Sequence, residues 1–76
     1  MNYYLLVYDR RVGETVRFQE YPSQRRSDAM QERFREERAH RGDQDIEVVV
    51  LGSQSKASLM RTHSRYFKSL GDLAHS

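Results

Sequence analysis

Tyr3-Tyr4-Leu5-Leu6-Val7-Tyr8 is the stretch on which the fold turns. Aromatic and branched residues of this kind favour extended backbone. Side chains of a strand alternate between the two faces of its sheet. Here both alternating sets, Tyr3/Leu5/Val7 and Tyr4/Leu6/Tyr8, are apolar. A strand apolar at both parities is central in its sheet, or has its second face covered by a partner.

Outward from this strand, Asp9-Arg10-Arg11-Val12-Gly13 reads as a hairpin connection, with Gly13 suited to a positive φ. Glu14 to Tyr21 then alternates, with Val16 and Phe18 on one side and Thr15, Arg17 and Gln19 on the other, as in a half-solvated strand. Pro22 stops it. The segment Asp28 to Arg41 has helical composition, with Ser27 or Asp28 as cap, and Asp28 and Gln31 at capping-box spacing. Its apolar face is thin: Met30 and Phe34 are the expected anchors, with Ala29 at the margin. Gly42 ends it, and Asp45 to Leu51 forms a third strand with Ile46, Val48 and Val50 on one face and Val49 and Leu51 on the other.

The most regular periodicity lies in Ser55 to Leu70. At helical spacing Leu59, Met60, His63, Tyr66, Phe67 and Leu70 share one face, and Arg61, Arg65 and Lys68 form a cationic ridge on the opposite one. Ser53 or Ser55 is the expected N-cap, and Gly71 the stop.

The element order β-β-α-β-α defines an α+β domain. A right-handed crossover from the second strand to the third makes those two parallel. With the first strand between them, the sheet is three-stranded and antiparallel in order 2-1-3. We expect a two-layer sandwich with both helices on one face, and an open, partly aromatic second face. The domain spans residues 1–71, followed by a flexible tail at 72–76.

Composition limits the rest. A chain of 76 residues buries only about 60% of its unfolded surface, so a second copy is a plausible source of further stability. There is no cysteine, hence no disulfide and no zinc-thiolate site. The N-terminal apolar run is too short for a signal peptide or a membrane span, which makes a cytoplasmic location the default. Formal net charge is +2, with 13 basic against 11 acidic residues, so charge is mixed rather than one-sided.

Several groups invite a functional reading. His63 is either a general base or a hydrogen-bonded histidine beneath its helix; Thr62 and Ser64 point to other helix faces, so no triad forms. Ser53, Ser55 and Lys56 join a strand to a helix N-terminus and are either an anion site or an ordinary capped turn. Arg61, Arg65 and Lys68, joined by Arg25 and Arg26, can meet a nucleic-acid backbone or stand as a solvated face. His40, Asp43 and Asp45 fall short of a calcium loop and read as a polar connection. No catalytic motif, metal site or cofactor is expected.

The run Asp45 to Phe67, DIEVVVLGSQSKASLMRTHSRYF, resembles short uncharacterised proteins encoded by GC-rich actinobacteria. The resemblance implies no activity and no functional residue. The expectation is therefore a small non-enzymatic protein-interaction module that self-associates, as a homodimer or with another protein partner. The alternative is a nucleic-acid-binding protein that uses the basic helix face and the sheet tyrosines. An enzyme would need His63 joined to an acid such as Asp9 or Glu37.

Overall fold

The computed structural model describes residues 1–67. It contains strands β1 (Asn2–Asp9), β2 (Glu14–Tyr21) and β3 (Ile46–Ser53), and helices α1 (Arg26–Ala39) and α2 (Lys56–Thr62). A 3-10 turn at Ser64–Phe67 follows α2. The strands form one sheet in the order β2-β1-β3. Both pairings are antiparallel. This is a small α+β fold, and the doubly apolar strand is its centre: Tyr4, Leu5, Leu6 and Val7 are all buried. Each such side chain contributes roughly 1.5–3 kcal/mol by leaving water.

The expectation that both helices share one face is overturned. Leu5, Tyr21 and Ala29 form one cluster, flanked by Tyr3, Val48 and Val50. Tyr4, Leu6, Leu59, Tyr66 and Phe67 form another, flanked by Phe18, Val49 and Leu51. The two clusters take opposite parities of β1, so α1 covers one face, and α2 with the 3-10 turn covers the other. The physical reason lies in β1 itself. With apolar side chains on both faces, neither face can be left to water, and the chain has one helical segment for each.

The β1–β2 turn closes where Gly13 N–H donates to the Asp9 carbonyl at 2.9 Å, with Gly13 at φ +70°. Val7 faces Arg17 and Tyr8 faces Thr15, so Val16 is an extra residue in β2. It forms a bulge and is 58% exposed.

Helix α1 begins two residues earlier than its composition suggests. Its N-cap is Arg25, without a side-chain cap bond. Asp28 instead binds the Arg25 guanidinium at 2.6 Å. The anchors are also exchanged: Ala29 is fully buried and Phe34 is 52% exposed. A helix this polar lies close to the sheet through its smallest residue, and Phe34 projects away from that contact.

The long helix expected over Ser55–Leu70 breaks at His63, which adopts φ −124° and ψ 48° as the C-cap of α2. Thr62 Oγ1 donates back to the Ser58 carbonyl at 3.0 Å, a local bond that competes with helix continuation. At the other end Ser55 Oγ accepts from Ser58 N–H at 3.1 Å, as a capping serine does. The break lets Tyr66 and Phe67 turn into the core while Arg65 swings toward β3. Lys68, Leu70, Gly71 and the tail at 72–76 lie outside the described residues.

Candidate interaction edge

Strand β3 pairs with β1 on one side only. The direction of its backbone groups follows from one bond: Arg10 N–H donates to the Asp45 carbonyl at 2.8 Å. Residues 10 and 45 continue the β1–β3 register, in which Asp9 faces Ile46 and Tyr8 faces Glu47. Antiparallel pairs alternate between bonded and non-bonded. The backbone groups of Glu47, Val49 and Leu51 therefore point at β1, and those of Ile46, Val48, Val50 and Gly52 point outward. Consistent with this, Ile46 N–H turns away from β1 to the Asp43 carbonyl at 3.4 Å. Ile46 through Leu51 are all half-buried, as an edge strand covered on both faces but open along its side should be.

Glu47 is the only charged residue between Ile46 and Leu51. Its side chain lies on the α2 face, 14% exposed. There it accepts from the Tyr66 hydroxyl. It also accepts from Arg65 Nη2 at 2.8 Å and Arg10 Nε at 3.3 Å. Arg65 stacks over the Tyr66 ring at 4.3 Å and lies 5.7 Å from that of Tyr8. Burial alone pushes the Glu47 carboxyl up, but the bonds from Tyr66 and Arg10 and the charges of Arg65 and Arg10 outweigh it and hold the carboxyl below its usual range. Burial, and then Glu47, push the Tyr66 phenol up. The single charge of β3 is thus tied to Tyr66, Arg65 and Arg10.

A groove of about 400 Å³ runs beside the edge, lined by Arg33 and Glu37 of α1, by His40 just beyond its end, and by Arg10, Ile46, Glu47 and Val48. Glu37 also borders the neighbouring surface of Phe34 and Arg41.

The residues singled out from sequence do not come together as one site. Arg25 pairs with Asp28, and Arg26 lies over the Tyr3 ring at 5.8 Å, both at the α1 end. Arg61 is exposed on α2, Arg65 is engaged with Glu47, and Lys68 is outside the described residues. Ser53 donates its hydroxyl to the Ser55 carbonyl at 3.0 Å, Ser55 caps α2, and Lys56 Nζ sits 5.3 Å from the Phe18 ring centre. His63 is half-buried with its ring 6.5 Å from that of Tyr66. Glu37 belongs to the helix on the other face of the sheet. In the polar connection, Asp45 N–H binds Asp43 Oδ1 at 3.0 Å. Sequence reading missed the Glu47 network. Its signal was a lone carboxylate inside an otherwise apolar strand, which must find partners or remain exposed.

No family model matches the chain, and neither a curated protein nor a solved structure is similar to it. No helix among the described residues is long and apolar enough to cross a membrane.

Proposed function

We propose that this chain is a small protein-interaction module that self-associates by strand addition along β3. The carrying observation is the outward row of backbone groups at Val48, Val50 and Gly52, with the Ile46 carbonyl, on a strand whose single charge, Glu47, is engaged by Tyr66, Arg65 and Arg10. An edge of this kind is a template for another strand. The mixed surface charge and the small core support the same reading, because main-chain pairing adds affinity without a dedicated ligand pocket.

The test is sedimentation over a range of concentrations, with Val48→Pro as the probe. Proline at an outward-facing position leaves the β1–β3 ladder intact but removes a donor from the edge. The wild-type chain is expected to associate in the micromolar range and the variant to stay monomeric with unchanged circular dichroism. A strict monomer at high micromolar concentration would sink the reading.

A further inference from the structure

We infer that the surface seated on β3 is the same surface of a second copy, in one register: Val48 pairs with Val48 across a two-fold axis, and α1 packs against α1. This rests on β3 being the interaction edge, as proposed above.

Backbone parity restricts the choice. Outward residues must pair with outward residues, so an antiparallel β3–β3 contact is centred on a residue rather than between two, and the centres that keep most of β3 paired are 47, 48, 49 and 50. Centring on residue 47 places Glu47 opposite Glu47, and like charges directly opposite one another are unfavourable. Centring on residue 49 sets Ile46 against Gly52, and centring on residue 50 sets Val48 against Gly52 and leaves Ile46 beyond the end of the partner strand; glycine has no side chain to pack. Centring on Val48 sets Ile46 against Val50 and Val48 against Val48, all branched and apolar, and puts Glu47 opposite Val49. This register alone satisfies charge and packing together.

Helix α1 agrees with it. α1 lies over β1 and β3 to equal extents. Neighbouring strands are about 4.8 Å apart, so the two-fold axis beside β3 brings the second α1 to about 10 Å, close to helix-packing distance. The level of the axis along α1 follows from the row Arg17–Val7–Val48 across the sheet. Arg17 Nη1 reaches Glu32 at 3.0 Å and also binds Glu36, so this row lies beneath the middle of α1, near residues 33 and 34. Glu32 and Glu36 face β2; the opposite flank, with Arg33, Glu37 and Phe34, faces the axis. Phe34, exposed in the single chain, then lies beside the axis against its own copy. Arg33 and Glu37 already pair within each helix at 2.7 Å, and the two-fold sets this pair beside its own copy with opposite charges facing, so the contact extends an existing ion pair into a four-charge cluster.

The experiment uses a mixture of isotope-labelled and unlabelled full chain, in which only contacts between copies are detected by nuclear magnetic resonance. A close contact from Glu47 Hα of one copy to Val49 Hα of the other is expected, because those residues form the non-bonded pair nearest the axis. A contact of Val49 with Val49 instead would overturn the register. Phe34→Asp is the second probe, and its side chain is exposed enough for folding to continue. It should weaken association about tenfold or more, as loss of a central anchor does. Unchanged affinity would overturn the helix contact. A dimer that Val48→Pro dissolves but that lacks these contacts removes this inference and leaves the strand-addition reading standing; a monomer removes both.

Discussion

The two edges of the sheet are built to opposite specifications. Strand β2 carries the exposed Glu14 and Glu20, is bent by a bulge at Val16, and is closed by Pro22. These are the devices that keep a strand from recruiting another. Arg17 is held inward by Glu32 and Glu36, and those bonds raise its basicity further, so it stays charged at any working pH. Strand β3 has no bulge in its pairing with β1, has no proline, and turns its single carboxylate into a network with the 3-10 turn. One edge is guarded and the other is not, although both border the same central strand. The lesson is that a charge protects an edge only while it remains free to face it.

The largest expected effect comes from proline on the inner side of β3. Val49→Pro removes an N–H directed at β1 and should cost about 3 kcal/mol or more in urea unfolding, whereas Val48→Pro should cost far less. Equal losses at the two positions would mean that the backbone parity is wrong. Next, Glu47→Gln should lower stability by about 1–3 kcal/mol at neutral pH by breaking the bonds to Tyr66, Arg65 and Arg10. Because the folded carboxyl titrates below its ordinary value of 4.5, its contribution is complete above that value and is lost as pH falls through the lower folded one. Wild type and variant should therefore converge in acid, while association, if the edge alone governs it, stays unchanged at neutral pH.

On the guarded edge, Arg17→Met should cost about 1 kcal/mol or less, shrinking with salt, since its side chain is one-third exposed. A loss that salt does not touch would point to packing rather than charge. The smallest effect belongs to Val16→Thr at the exposed bulge, within about 0.5 kcal/mol and without influence on the sedimentation profile. A shift in oligomeric state from this change would move the interaction site to β2 and reverse the comparison.

Much of this architecture is legible in the chain itself. Tyr3–Tyr8 specifies the central strand because only a position covered on both faces tolerates six apolar residues in a row. Gly13 and Pro22 mark the limits of β2, and Ser55 announces α2. Order 2-1-3 follows from those elements and a right-handed crossover. What periodicity cannot assign is which face of the sheet a helix covers, since a stripe of apolar residues is equally satisfied by either. The break at His63 was illegible for a related reason: Leu59, Tyr66 and Phe67 point inward whether the helix continues or kinks, and the decision rests on Thr62 bonding back and on Tyr66 reaching Glu47. Phe34 looked like an anchor by residue type. Ala29 took that role because a small side chain lets the helix approach the sheet more closely.

Local composition thus determined the strands, the helices and their order, through properties that each segment carries alone. Tertiary structure decided the side taken by each helix, the engagement of Glu47 by Tyr66, Arg65 and Arg10, and the exposure of Phe34. Each of these depends on groups far apart in the chain meeting across the sheet, and no local pattern records such a meeting.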